Sequence, residues 1–255
     1  MLKKVMKYEF RAMGRQFLPA YIAVIALAIL NGLFLWAGDT SAPAAALARP
    51  GAVATSVLFG AFYGMVVFGT LVLTMVLIIR RFYVSLFKDE GYLTNTLPVS
   101  TDTLILGKLI AAVCWSIISI IVVSVSFLLV SMPWFVWQDL LDFFIWEHGL
   151  LWLASMFVSL VTGILAFYSA LAIGQLAKRR KILLAIGAYM GISFVVSVIS
   201  TVFMLNSGSW WNSIFFGIGG AWTNMMLFGM GFSLAQAVMH YMITRYILKN
   251  KLNLE

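Results

Sequence analysis

The residues best suited to chemistry are three consecutive charged side chains, Lys88, Asp89 and Glu90, between two long apolar runs. They lie in the segment 80–103, which reads RRFYVSLFKDEGYLTNTLPVSTDT. Charged groups beside aromatic rings suit a short helix that docks into a groove of a partner protein. A short interfacial helix held only by lipid would have the same composition. The residues alone leave both interpretations open.

The order of residues in segment 80–103 predicts a short surface helix followed by a turn. Its apolar side chains recur at roughly helical spacing, Gly91 is a natural helix stop, and Pro98 breaks the chain again. Ser100 is expected to cap the next helix, with Asp102 favourably placed in its first turn. The apolar side chains of this predicted helix are Phe82, Tyr83, Leu86 and Phe87.

Another carboxylate, Glu9, interrupts an amphipathic pattern over residues 2–17. The basic side chains of this stretch fall opposite its apolar arc, which predicts a helix lying in the membrane interface on anionic lipid. Glu9 projects into the apolar arc, where it would either pair with a basic residue of a neighbouring loop or snorkel to water. The apolar arc consists of Leu2, Val5, Met6, Phe10, Met13 and Phe17.

Motifs for catalysis and for nucleotide binding are absent from the sequence. It contains no GxxxxGK[ST] phosphate loop, no HExxH and no GxSxG. His148 and His240 are expected at opposite membrane faces, too far apart for one metal site, and the single cysteine, Cys114, lies in an apolar run. We therefore expect a non-catalytic chain that carries no cofactor or metal of its own.

These residues must be positioned by helices that cross a membrane. The chain is 63% hydrophobic and 10% charged, whereas soluble domains are nearer half apolar and a quarter charged. A helix needs about 20 mostly apolar residues to span the hydrocarbon layer. Lys108, near the start of the third such segment, is expected to snorkel to the interface. We predict an all-α polytopic membrane protein, one domain over 1–255, with six spans at about 18–37, 53–79, 104–131, 149–173, 182–204 and 221–244.

The basic residues predict that both termini are cytoplasmic. With that orientation, all but one of the 17 Lys and Arg residues lie on the cytoplasmic side, as the positive-inside rule requires. The net charge of +8 then reflects topology and attraction to anionic lipid. Dispersed over membrane-proximal loops, these charges do not favour nucleic acid as a partner. Segment 205–220 would lie outside, either as a re-entrant stretch or as an interfacial turn.

Glycines in two of the spans predict close helix packing. Gly60 and Gly64 form a GxxxG pattern in the second span, and Gly229 and Gly231 lie in the sixth. Such faces let helix backbones approach each other. We expect packing within the chain, with a seam between two copies as the alternative.

Two stretches resemble the membrane subunits of type-2 ABC exporters, particularly the short permeases of Gram-positive bacteria. The first is the basic N-terminal stretch MLKKVMKYEFRAMGRQFLPAY. The second is RRFYVSLFKDEGYLTNTLPVSTDTLILGKLIAAVCW, with an Asp-Glu-Gly-Tyr-Leu…Thr-Leu-Pro-Val-Ser string before a Gly-Lys-Leu. Together they cover about a fifth of the chain.

The resemblance implies a bacterial cytoplasmic-membrane exporter with two permease chains, identical or different, and two cytoplasmic ATP-binding subunits that hold ATP and Mg. In that family the first cytoplasmic loop carries a coupling helix seated on the ATPase, and the N-terminal helix lies along the inner interface. The resemblance therefore implies an inner-interface helix with Glu9, Phe10 and Arg11, while the substrate-binding residues stay unknown. The implied coupling residues are Tyr83, Leu86, Phe87, Lys88, Asp89, Glu90, Gly91 and Tyr92.

Two other classes of protein stay open. A non-transporting scaffold or sensor subunit could use the same docking loop for a different partner. A membrane-embedded enzyme would need polar catalytic groups that meet at one depth, which the two histidines do not do. An associated ATP-binding protein would favour the export permease.

Overall fold

The computed structural model describes residues 2–37, 52–87, 100–131, 149–177, 179–206 and 221–250. Almost all of these residues are helical, and no strand occurs among them. The helices are α1 (Leu2–Ala37), α2 (Ala52–Phe87), α3 (Thr101–Ser131), α4 (Gly149–Gly174), α5 (Lys181–Asn206) and α6 (Ala221–Asn250).

Each of the six helices contains a stretch long and apolar enough to cross a membrane. These stretches are Met13–Leu33, Leu58–Phe87, Thr101–Val130, Gly149–Gly174, Lys181–Val202 and Met225–Asn250. The all-α, six-span class predicted from the sequence is therefore confirmed, and the orientation of the termini stays a prediction. The main difference in length is in α2, which continues eight residues past the predicted end at residue 79.

The separate interfacial helix expected for residues 1–17 is instead the first part of α1, which runs without interruption from Leu2 to Ala37. The reason is that the buried side chains before and after residue 17 recur at intervals of three, four or seven residues and so share one helix face. Pro19 lies inside α1, and membrane helices tolerate an interior proline. The buried side chains of this face include Met13, Phe17, Val24, Ala28 and Asn31.

The chain divides into two compact units. Unit 1 comprises Met1–Arg81 and Ile110–Leu141, and unit 2 comprises Phe82–Leu109 and Asp142–Glu255. Helices α2 and α3 therefore each contribute to both units. The expectation of a single permease domain over 1–255 stays a prediction.

In unit 1, Trp115 of α3 packs against the buried face of α1. Its ring centroid lies 4.9 Å from that of Phe17 and 5.8 Å from that of Phe10. A side chain at Gly14 would begin 3.2 Å from the indole, so the glycine makes room for it. The Trp115 Nε1 atom is buried and has no hydrogen-bond acceptor among the described residues.

Hydroxyl groups connect the helices of unit 1 at two places. Ser119 of α3 lies between Tyr21 of α1, with the oxygen atoms 2.6 Å apart, and Thr74 of α2, at 3.0 Å. A second pair, Tyr63 and Ser126, joins α2 and α3 at 2.8 Å. Interhelical hydrogen bonds of this kind help to hold membrane helices together where no hydrophobic driving force acts between them.

In unit 2, α4 is the central helix, because it packs against both α5 and α6. Contact between α5 and α6 is much smaller in the described part of the unit. The hydroxyl of Thr162 on α4 donates to the carbonyl of Ser233 on α6, 3.0 Å away. At the other neighbour, the Phe167 ring of α4 stacks on Tyr189 of α5, with centroids 4.6 Å apart.

The glycines expected to pack within the chain do not do so among the described residues. A Cβ atom added at Gly60, Gly64, Gly229 or Gly231 would meet no heavy atom within 4 Å. Intrachain packing was therefore the wrong expectation for these positions. The reason is that α2 and α6 bury other faces, so these glycines lie on open helix surface.

Candidate functional site

The end of α2 is anchored in unit 2 by aromatic packing. Phe82 and Leu86 are each 1% exposed, and the Phe82 ring stacks on Tyr168 of α4 with centroids 3.7 Å apart. Residues 82 and 86 are one helical turn apart and lie on the same face of α2. This end of α2 therefore has a fixed position against α4.

The short surface helix expected within segment 80–103 is not a separate element, because residues 80–87 belong to α2. Of the implied coupling residues, Tyr83 and Phe87 are half-buried, with ring centroids 6.0 Å apart. Leu86 is a core side chain and supports this end from within unit 2. Lys88, Asp89, Glu90, Gly91 and Tyr92 lie outside the described residues.

The start of α3 is fixed by a helix cap. The Ser100 hydroxyl accepts a hydrogen bond from the backbone N–H of Thr103 at 3.3 Å, and the Ser100 carbonyl accepts from the N–H of Leu104 at 3.2 Å. The capping role predicted for Ser100 is confirmed. Asp102 lies in the first turn of α3, as expected. Its negative charge there interacts favourably with the positive end of the helix dipole.

Asp102 also connects α3 with α6. Its Oδ1 atom accepts a hydrogen bond from the Tyr241 hydroxyl at 2.7 Å and lies 2.8 Å from Nε of Arg245. Tyr241 and Arg245 are one turn apart on α6, so both side chains reach the same carboxylate. From the sequence alone, Asp102 was expected to act only at its own helix terminus, and no partner was expected for Arg245.

Lys108 was expected to snorkel to the interface, and this expectation is wrong. Its side chain is 4% exposed, and its ammonium group donates a hydrogen bond to the Ser85 hydroxyl of α2. The carbonyl of Lys108 accepts from the Tyr168 hydroxyl at 3.4 Å. Because a buried charge is costly without polar partners, the Ser85 hydroxyl helps to compensate the buried ammonium group, while Tyr168 holds the backbone at the same residue.

Together these contacts form what we call the loop anchor: Phe82, Ser85, Asp102, Lys108 and Tyr168, with Tyr241 and Arg245 on α6. It lies at the end of α2 and the start of α3, on either side of the segment 88–99. Through Tyr168 it joins the end of α2 to α4, and through Asp102 it joins the start of α3 to α6.

The inner-interface residues implied by the resemblance lie on α1. Phe10 packs against Trp115 in unit 1. The side chains of Glu9 and Arg11 lie outside the described part of the structure. The pairing expected for Glu9 therefore stays a prediction.

Three of the loop-anchor residues, Ser85, Tyr168 and Tyr241, were not singled out from the sequence. The chain has 9 Tyr and 20 Phe residues, so an aromatic side chain in an apolar span carries little signal. His240, in contrast, was singled out, and its Nδ1 lies 2.8 Å from the Ser169 hydroxyl. Among the described residues, no group of three or more His, Cys, Asp or Glu side chains is arranged to hold a metal ion.

The ion pair between Asp102 and Arg245 is expected to contribute about 0.2–1 kcal/mol, because both side chains are partly exposed, at 37% and 51%. A double-mutant cycle with Asp102→Ala and Arg245→Ala measures this coupling as unfolding free energy. The cycle that pairs Asp102→Ala with Lys249→Ala, one turn further along α6, serves as the control. Equal coupling energies in the two cycles would contradict a specific Asp102–Arg245 interaction.

Comparisons with protein-family models, with curated proteins and with solved structures find no match for this chain. The fold and the loop anchor therefore carry the functional argument.

Proposed function

We propose that this chain is the permease subunit of an ATP-driven ABC exporter and that it docks a separate ATP-binding subunit through the loop 80–103. The observation that carries the proposal is the loop anchor. Both ends of the segment 88–99 are held by side chains of α4 and α6, so a partner seated on this segment would be mechanically connected to the membrane helices. A loop that served only as a linker would not need such attachment.

The proposed mechanism is a two-state coupling between the partner and the membrane helices. ATP and Mg bind on the partner, whose closure displaces the segment 88–99. The displacement passes through Tyr168 to α4 and through Asp102 to α6, which biases two paired permease chains between inward- and outward-opening states. A partner can shift this equilibrium only by binding one state better than the other.

The proposal places the chain in a bacterial cytoplasmic membrane with both termini in the cytoplasm. The distribution of basic residues supports this orientation. The open glycine surface at Gly60 and Gly64 is compatible with a second permease chain. Cysteine labelling with a membrane-impermeant reagent at residues 2 and 250 tests the orientation.

Reversing the charges of Asp89 and Glu90 to lysine is expected to reduce stimulated ATP hydrolysis at least tenfold, since buried charge pairs at interfaces commonly contribute more than about 1.4 kcal/mol. The measurement uses the chain reconstituted in lipid with the ATP-binding subunit that the proposal requires as its partner. Both ATPase stimulation and co-purification are followed.

The matched control reverses Asp139 and Asp142, which the predicted topology places on the opposite side of the membrane. This control should leave complex assembly and ATPase stimulation unchanged. Full coupled activity in the Asp89→Lys/Glu90→Lys variant would contradict the docking site. A stable partner that lacks nucleotide-binding motifs would instead support a scaffold or sensor subunit.

A further inference from the structure

A cleft with several polar side chains opens in unit 2 between α5 and α6, over the central helix α4. It has a volume of about 260 Å³. α4 forms its floor, since α5 and α6 both pack on α4 and touch each other little. The hydrogen-bonding side chains that line the cleft include Ser159, Thr162, Ser193, Ser233, Gln236 and His240.

Polar side chains of the cleft lie at an unusual depth in the membrane. Thr162, Ser193 and Gln236 each lie near the middle of their membrane-spanning stretch. Polar groups at this depth are costly unless they are hydrogen-bonded within the protein or to a ligand. Three spans that each place such a group at the same cleft indicate a polar site at mid-membrane.

On the α6 side of the cleft, the His240 side chain is held in place before any ligand binds. This side chain is 3% exposed, and its Nδ1 atom is paired with the Ser169 hydroxyl at 2.8 Å. The bond to Ser169 occupies Nδ1 and leaves the Nε2 atom of the same ring for another partner. Thr162, two turns away on α4, already donates to the carbonyls of Val158 and Ser233. The imidazole is therefore held in one orientation by Ser169 and has bonding capacity left for a ligand.

The surroundings of the cleft are apolar. On α5, Met190 and Phe194 are 66% and 70% exposed, and on α6, Leu234 and Val238 are about half exposed. Among its lining residues, the cleft itself combines hydroxyl, amide and imidazole groups with apolar side chains such as Ala166, Ile192 and Val196, and it has no Lys, Arg, Asp or Glu side chain. An occupant must therefore combine an uncharged, hydrogen-bonding head with an apolar body that lies against the exposed side chains.

We propose that this cleft binds the uncharged head group of a membrane amphiphile, with a glycerol ester of the diacylglycerol type as the fitting chemistry. The head group enters from the hydrocarbon layer and hydrogen-bonds with Gln236, Ser193 and the Nε2 atom of His240, while the acyl chains stay in lipid. A volume of about 260 Å³ accommodates such a head group, whereas whole drug-sized ligands use about 300–1,000 Å³. That the bound amphiphile is also the exported cargo rests on the proposed function; the binding itself does not.

The test uses the full chain alone in nanodiscs, without an ATPase, and a photoactivatable, alkyne-bearing diacylglycerol as the probe. Cross-linked peptides are expected to map to the cleft segments of α4, α5 and α6. Gln236→Leu should lower labelling about fivefold, the factor that corresponds to the loss of one hydrogen bond. Ser193→Val, at an exposed position where folding is not at risk, should lower it in the same direction.

The matched control is Ser200→Ala on α5, which removes a hydroxyl that bonds only to the carbonyl of Val196 on its own helix. Its labelling should equal that of the unchanged chain. Equal labelling of the Gln236→Leu, Ser193→Val and unchanged chains would overturn the proposal. Stronger labelling by a matched phosphatidic acid probe would also overturn it, because the site would then select an anionic head group.

A second copy of the chain is the competing occupant. In a Cys114→Ala background, a cysteine introduced in place of Ser193 would form disulfide-linked dimers if this face were covered by another copy, and that result would overturn ligand binding. Monomeric protein with retained diacylglycerol labelling supports it. Loss of ATPase coupling with labelling intact would contradict only the proposed function, so the two failures are distinguishable.

Discussion

Replacing Tyr168 by alanine is expected to lower the free energy of unfolding of unit 2 by about 3–5 kcal/mol, the usual cost of deleting a buried aromatic ring. Tyr168 is 1% exposed, stacks on Phe82 and donates to the carbonyl of Lys108. Its removal therefore empties the centre of the loop anchor. Unfolding in mixed micelles with increasing SDS, followed by circular dichroism, measures the change.

Two tyrosine variants separate the causes of this loss. Tyr168→Phe keeps the ring and removes the hydroxyl with its long hydrogen bond of 3.4 Å, so it should cost about 0.6 kcal/mol, the average for hydrogen bonds between membrane helices. Tyr246→Ala removes a tyrosine that is 59% exposed on α6 and should change stability by less than about 0.5 kcal/mol. If Tyr168→Ala cost no more than Tyr246→Ala, the stacked ring would not be what holds the loop anchor together.

The same substitution has a consequence for the proposed coupling. A chain that still folds with Tyr168→Ala should bind the ATPase through residues 88–99 but transmit less of its movement to α4. ATPase binding would then be retained while stimulation falls. If the docking loop had no mechanical role, the variant would retain both ATPase binding and ATPase stimulation.

The helical class could be predicted from the sequence because each span is a long apolar run whose length matches the bilayer. The continuity of α1 was not predicted, although the spacing of its buried side chains indicates it. The spacing of Phe10, Met13 and Phe17 continues into Val24 and Ala28 on one face. The change from a charged to an apolar opposite face at about residue 18 suggested two elements, but the backbone follows the uninterrupted buried face.

The loop anchor could be predicted only in part, because its contacts join residues far apart in the chain. The cap at Ser100 depends on its immediate neighbours and was foreseen. The ammonium group of the buried Lys108 bonds to Ser85, 23 residues away, and its backbone carbonyl accepts from Tyr168, 60 residues away. Without those partners in view, solvation at the interface is the physically reasonable expectation for a lysine near a helix start.

The cleft illustrates a further limit of the sequence. Its serines are isolated among apolar residues on three different helices, and single serines are common in membrane spans because they can bond to their own helix backbone. Ser200 does this. Only the packing of α5 and α6 on α4, which leaves the cleft between them, distinguishes Ser193 and Ser233 from such ordinary positions.

Replacing Gly174 by alanine is expected to destabilise unit 2 by about 1–3 kcal/mol or more, through overpacking where α4 meets α5. An added Cβ atom would lie 2.6 Å from Cβ of Ala185 and 2.7 Å from the carbonyl oxygen of Lys181. Those atoms are backbone or are attached directly to it, so no rotation of a side chain can relieve the clash. The start of α5 must then move away from α4, and SDS unfolding measures the resulting loss of stability.

The matched control is Gly187→Ala on α5, where an added Cβ atom would meet nothing within 4 Å. Because glycine is a poor helix former, this change should stabilise the helix by about 0.5–1 kcal/mol. Opposite signs for the two changes in stability are the expected result. A neutral Gly174→Ala would show that α5 is not held closely at this point.

Since α5 forms one wall of the cleft, Gly174→Ala should also reduce diacylglycerol labelling, whereas Gly187→Ala should leave it intact. The close contact at Gly174 would then be what fixes the position of α5 and the width of the cleft.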